Sequence, residues 1–165
     1  MVGSMSDCKL KISVQFADFS LKHEAEALRM NNSIGAIVTF SGLVRDMHGE
    51  QPVTGLFLEH YPGMTEKSLQ AIAVEAKTRW PLHALTIIHR IGELKAGDQI
   101  VFVGVSSAHR SAAFAACDFI MDYLKTRAPF WKKSLQANGE HWVDAKASDE
   151  AASSRWQQPL PHVEV

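Results

Sequence analysis

Polar and apolar positions alternate from Lys9 to Gln15, with Leu10, Ile12 and Val14 on one side, the period-two signature of a strand. Ser20 is a candidate N-cap, and the spacing behind it predicts a short helix to about Met30, with Glu24 and Glu26 near its start. Gly35–Val44 is dense in β-branched and aromatic residues and reads as a strand, as does Thr54–Tyr61. The polar stretch Asp46–Pro52 between them predicts a mobile hairpin loop. Pro62-Gly63 marks a turn, and Thr65 stands where it could cap the next helix. Leu69, Ile72, Ala73, Ala76 and Trp80 share one face of that helix, and Pro81 stops it. Leu85–Ile91 and Gln99–Ser106 read as strands around a turn at Lys95–Asp98. A helix from about Ala108 to Lys125 follows, with Phe114, Cys117, Met121 and Leu124 as its expected buried stripe. Pro129 bars its continuation. Phe130–Leu135 and His141–Lys146 are expected to pair across a tight turn at Ala137–Glu140.

The resulting order, β-α-β-β-α-β-β-α-β-β, contains hairpins, so its sheets should be largely antiparallel or mixed and the class α+β. With 165 residues the chain fits one domain, expected over 9–156. Residues 1–8 read as an N-terminal tail, in part an expression scar ahead of Met5, and 157–165 as a C-terminal tail. No apolar run approaches the roughly 20 residues of a membrane span, and the start lacks the apolar core of a signal peptide. Cys8 and Cys117 are too few for a disulfide framework or a thiolate zinc site, which points to the cytoplasm. Cys117, in an apolar helical stretch, reads as a buried thiol.

Charge then narrows the function classes. Lys and Arg number 17 against 18 Asp and Glu, a balance that argues against coating nucleic acid or an anionic membrane. Between His109 and Lys133, however, five Lys and Arg face two acids, Asp118 and Asp122. Three segments could carry chemistry. Ser106-Ser107-Ala108-His109-Arg110 joins a strand to a helix start, where backbone N–H groups and the helix dipole favour an anion. An imidazole and a guanidinium there would add directional donors for phosphate. The bland alternative has Ser107 as a cap and both side chains in solvent. The run Lys125–Lys133 holds four cations in nine positions, interleaved with Phe130 and Trp131. It is either a solvated face or the setting of a lysine whose proton affinity crowding and burial have lowered. Arg45, where a strand opens into a loop, could bind an anion or merely pair with Asp46 or Asp98. No histidine pair has metal-ligand spacing, and no Walker loop, GxGxxG or GxSxG occurs.

Five segments in this order carry a family resemblance: Gly42-Leu-Val-Arg45, Leu58-Glu-His-Tyr-Pro-Gly-Met-Thr-Glu66, His89-Arg-Ile-Gly-Glu93, Ser107-Ala-His-Arg110 and Leu124-Lys-Thr-Arg-Ala-Pro-Phe-Trp-Lys-Lys133. Over about Gly35 to Trp156 the chain resembles the large, catalytic subunit family of molybdopterin synthase. The resemblance implies an α/β-hammerhead fold and a homodimer at the core of a heterotetramer. A small ubiquitin-like sulfur-carrier subunit would insert its C-terminal Gly-Gly thiocarboxylate into the pocket. Two sulfurs would pass to cyclic pyranopterin monophosphate, precursor Z, to form the dithiolene of molybdopterin. Lys125 and Lys132 match the family's catalytic lysines; Arg45, His109 and Arg110 match its anion- and substrate-binding positions. Leu43, Val44, Lys133, Ser134 and Lys146 complete the implied substrate-binding set, with no metal or other cofactor. Where relatives carry an acid this chain has Ser134, and Lys146 stands where an arginine also occurs. A phosphate between His109, Arg110 and Lys125 is the arrangement expected; the resemblance implies a pocket near the dimer interface, where some of these residues could serve the neighbouring subunit's site. Two rivals remain: a non-catalytic dimeric scaffold for a ubiquitin-like protein and a phosphorylated ligand, and a single-strand binder using Trp131 and the basic run.

Overall fold

The computed structural model describes residues 7–48, 51–136, 139–143 and 147–157. The chain runs β1 (Lys9–Gln15), α1 (Leu21–Ala27), β2 (Ala36–Leu43), β3 (Met47–His48), β4 (Gln51–His60), α2 (Met64–Arg79), β5 (Leu82–Arg90), β6 (Gly92–Lys95), β7 (Gln99–Ser107), α3 (Arg110–Arg127), β8 (Phe130–Gln136), β9 (Gly139–Val143) and α4 (Ala147–Ser154), then a 3-10 turn at Arg155–Gln157. The expected order holds, with β3, β6 and α4 added. The first sheet has the order β1-β5-β7-β2; the second has β3-β4-β8-β9, with β6 also on β4. The β1–β5 pair is parallel and the others antiparallel, so the class is mixed α+β.

β5 and β7 are buried along nearly their whole length because apolar layers cover both faces of the first sheet. Leu85, Ile87, Val103 and Val105 join the main core with Leu69, Ile72, Ala73 and Ala76 of α2 and Ala113, Ala116, Phe119 and Ile120 of α3. On the opposite face Ala84, Ile88 and Phe102 pack with Phe19 and Leu28 beside α1. Ser20 caps α1 as expected, its hydroxyl accepting from the His23 N–H at 3.2 Å, but the helix ends at Ala27. Lys11 on β1 pins it through a 2.8 Å pair with Glu24.

Several expectations need correction. The segment Asp46–Pro52 is largely paired, Met47 opposite Pro52 and His48 opposite Gln51. Thr65 does not cap α2: Gly63 holds the N-cap position at φ 82°, and Glu66 accepts from its N–H at 2.7 Å. The Thr65 hydroxyl is buried and bonded elsewhere. Of the expected α3 stripe, Cys117 and Leu124 are buried and Met121 packs partly against the core, but Phe114 is 62% exposed, and the buried face is wider, with Ala112, Ala113, Ala116, Phe119, Ile120 and Tyr123 also turned inward. Small alanines let the helix lie close on the sheet, so bulk alone misjudged the face. β9 begins at Gly139, two residues earlier than expected, and the 144–146 part of the expected strand lies outside the described residues.

The C-terminal segment closes over α3. Arg155 bonds Asp118 at 2.6 Å and Asp122 at 2.8 Å, and the Trp156 indole N–H donates to Asp122 at 2.6 Å. The Trp156 ring meets Trp80 and Phe119 edge-on, both at 5.6 Å, while Arg79 donates to its carbonyl at 2.9 Å. No helix among the described residues is long and apolar enough to cross a membrane. Trp156→Ala should cost about 2 kcal/mol, less than a fully buried Trp because this ring is partly exposed. A lower urea midpoint at unchanged m-value is the expected reading; an unchanged midpoint would show that the segment does not brace α3.

Candidate functional site

β7 climbs from Gln99 to Ser107, and after a two-residue connection α3 runs back across the same sheet. The geometry of every candidate group follows from this reversal. His109 is the N-cap of α3 and Arg110 its first residue, both exposed, with no side chain capping the helix. Ser107 does not serve as cap, because its hydroxyl is buried and donates to the Pro81 carbonyl at 2.7 Å. Gly35 lets the chain pass here: a Cβ on it would stand 2.3 Å from the Ala108 carbonyl oxygen.

Lys125 lies in the last turn of α3. At 1.5 Å per residue, the helix separates it from Arg110 by about 22 Å. Within one chain the expected cluster of His109, Arg110 and Lys125 therefore does not form.

Arg45 falls at the Lys125 end. β2 and β7 are antiparallel, Ala36 opposite Ser107 and Leu43 opposite Gln99, so the exit of β2 is the far end of the sheet from His109. The Arg45 side chain is exposed, and among the described residues no ion pair joins it to Asp46 or Asp98; Asp98 instead accepts from the Lys95 N–H at 2.9 Å. Leu43 is exposed, whereas Val44 is buried. The Val44 N–H donates to Asp98 O at 2.9 Å and its carbonyl accepts from the Gly97 N–H at 2.7 Å. Val44 thus anchors the strand end that presents Arg45, and its side chain is not offered to a ligand.

β8 brings in the remaining lysines. Lys132 stands opposite Leu58, Lys133 opposite Phe57 and Ser134 opposite Leu56 on β4. Side chains alternate along a strand, so Lys132 shares a face with Phe130 and Lys133 takes the other face. There the Lys133 ammonium lies 6.0 Å from the Phe57 ring centre. The other cation of the run, Arg127, is engaged structurally: its guanidinium sits 3.7 Å over the Tyr123 ring and 3.2 Å from Glu75. The Ser134 side chain and all of Lys146 lie outside the described residues.

The residue pattern gave no role to His89, near the end of β5. Its buried ring stacks on Phe130 at 3.8 Å, and burial, with Lys132 nearby as a lesser cause, lowers its pKa to about 4. Burial, then Asp118, pushes the Cys117 thiol up to about 12, which suits a core thiol and not a nucleophile. Among the described residues no three His, Cys, Asp or Glu gather to hold a metal ion.

A family model described as MoaE protein matches residues 14–127. The molybdopterin synthase catalytic subunit of Vibrio cholerae is 60% identical over 147 residues, 89% of this chain and 98% of that protein. The chain belongs to the MoaE family. The Escherichia coli catalytic subunit is 54% identical over 92% of this chain and its own full length. The solved MoaE protein of Burkholderia ambifaria superposes with a TM-score of 0.77 at 51% identity, covering 91% of this chain and 99% of its own. Membership in the MoaE family agrees with the motif resemblance and with the mixed α+β architecture.

The neutral state of His89 has a consequence for acid stability. The unfolded chain takes up this proton near pH 6.5, the folded chain only near 4, so stability should fall as pH drops through that window. The loss should approach about 3 kcal/mol, and His89→Phe should remove most of it. Denaturant midpoints from pH 7 to 4 measure this; equal slopes in both proteins would refute it.

Proposed function

We infer that this chain is the catalytic subunit of a molybdopterin synthase. It moves sulfur from the C-terminal thiocarboxylate of a small ubiquitin-like subunit to precursor Z, building the dithiolene of molybdopterin. The observation that carries this reading is the 60% identity to the Vibrio cholerae catalytic subunit over 98% of that protein. The reaction belongs in the cytoplasm, where the free Cys8 and Cys117 stay reduced.

The chemistry of the site residues supports it. The substrate carries a cyclic phosphate and the incoming tail a thiocarboxylate, so two anions must meet. Cationic groups offset their repulsion and hold the intermediate between the two transfers. Lys125 is the group nearest the thiocarboxylate, working as acid and base or by transient bonding to the substrate. Lys132 stabilises or protonates the developing charge. His109 and Arg110 hold the phosphate, and Arg45, on its loop beside Leu43, binds substrate at the lysine end. Lys133, Ser134 and Lys146 belong to the same substrate-binding set.

Because α3 holds the phosphate-binding pair about 22 Å from Lys125, one chain supplies two half-sites. The reading therefore includes a homodimer in which His109 and Arg110 of one copy complete the lysine end of the other. A two-fold dimer would form two such sites at once.

Lys125→Ala and Lys132→Ala should each slow transfer from thiocarboxylated partner to precursor Z by about 100-fold or more. Near-normal product in both would sink the catalytic assignment. Mixing tests the shared site. Subunits carrying Lys125→Ala and Arg110→Ala, exchanged together, should regain about a quarter of wild-type activity, since half the dimers are mixed and each has one intact site. Lys125→Ala mixed with Lys132→Ala should regain none. Failure of the first mixture, or recovery in the second, would reject the two-chain site.

A further inference from the structure

His89 stands opposite Val101 of β7, with 8% of its surface exposed. Its ring and that of Phe130 lie at 19° with centres 3.8 Å apart, a stacked pair. Its Nδ1 is 2.8 Å from the Arg90 carbonyl. A carbonyl has no proton to give, so Nδ1 carries the hydrogen and donates, which fixes the ring plane and leaves a lone pair on Nε2. Arg90 is itself tied down, donating to Phe16 O at 3.1 Å and Gln99 O at 2.9 Å. The imidazole is therefore held from a rigid edge of the first sheet.

Phe130 opens β8, and Lys132 follows two residues later on the same face, about 7 Å along the strand. The stack joins the first sheet to the strand of the second sheet that bears the proposed catalytic lysine. A second fastener acts one residue earlier. The Thr65 hydroxyl donates to Pro129 O at 3.1 Å while accepting from the Tyr61 N–H at 3.0 Å. Pro129 and Phe130 are thus gripped at two points, between the last turn of α3 with Lys125 and the strand position of Lys132. Burial keeps the imidazole uncharged at neutral pH, so it adds no positive charge beside that lysine.

We propose that His89 is a positioning residue for Lys132: by stacking on Phe130 it fixes the start of β8, and so the place of the Lys132 ammonium relative to Lys125. The inference deepens the sulfur-transfer reading and rests on it. A flat ring at this position matters to the rate because a displacement of about 1 Å between reacting groups can cost up to about 100-fold.

The test uses the complex with thiocarboxylated small subunit and precursor Z, with two readouts. His89→Ala should lower kcat by about tenfold or more while KM for precursor Z stays within about twofold. His89→Phe, which keeps a ring on Phe130, should return at least about half of kcat. Independently of activity, lysines labelled by reductive 13C-methylation are followed by NMR. The Lys132 signal should move in His89→Ala and return in His89→Phe, while that of Lys22 on α1 stays. A folded His89→Ala with an unmoved Lys132 signal overturns the proposal, whatever its kcat. So does kcat within about twofold of wild type. If His89→Ala does not fold, His89→Leu, which fills the space without a flat ring, is read by the same criteria. An inactive wild-type complex would instead overturn the sulfur-transfer reading, and the NMR comparison would still decide the link between His89 and Lys132.

Discussion

The close packing of α3 on the first sheet is the constraint from which the arrangement of groups follows. Ala112, Ala113 and Ala116 bring its first half against the strands, and Phe119, Ile120 and Tyr123 fill the space beneath its second half. A helix so embedded is a fixed rod. It carries His109 and Arg110 at one end and Lys125 at the other, and no side-chain rearrangement can close a gap of about 22 Å. The β2 exit with Arg45 and the start of β8 are gathered at the lysine end, so the chain has two cationic poles rather than one pocket.

Charge is managed with similar economy. The chain is almost neutral, yet the stretch around α3 and β8 is cationic. Its two acids, Asp118 and Asp122, are turned toward Arg155 and Trp156, and Arg127 toward Glu75 and Tyr123. Groups that would blur the field at the lysine end are thereby engaged elsewhere, and the aromatic surface next to Lys132 contributes an uncharged imidazole.

Much of this was legible in the residues, and the failures have physical causes. Lys9–Gln15 and Gln99–Ser106 announce themselves because alternation or a β-branched run leaves few other choices. The four residues of β6 and two of β3 are too short for any period to register; β6 depends on distant chain for its pairing with β4, while β3 only folds back on the adjoining start of that strand. α4, Ala-Ser-Asp-Glu-Ala-Ala-Ser-Ser, has little apolar face of its own; the adjoining Arg155 and Trp156 make the polar and aromatic contacts that hold the segment to α3. Thr65 and Ser107 occupy capping positions by sequence, but tertiary partners, the Pro129 and Pro81 carbonyls, claim their hydroxyls. The separation of His109 from Lys125 was already implicit in a helix predicted from Ala108 to Lys125. Site residues on one helix face its two ends, however strongly the motifs suggest one pocket. His89 lies in a family segment, but its role was not legible because its partner, Phe130, is 41 residues away and belongs to another sheet.

The clasp of Arg155 and Trp156 on α3 also imposes an order in time. Synthesis proceeds from the N-terminus, so α3 and both lysines emerge before the residues that cover Asp118 and Asp122. Until those residues dock, the helix carries Asp118 and Asp122 without the donors that hold them in the folded chain. Its surface potential reaches the mature pattern only when the last turn docks.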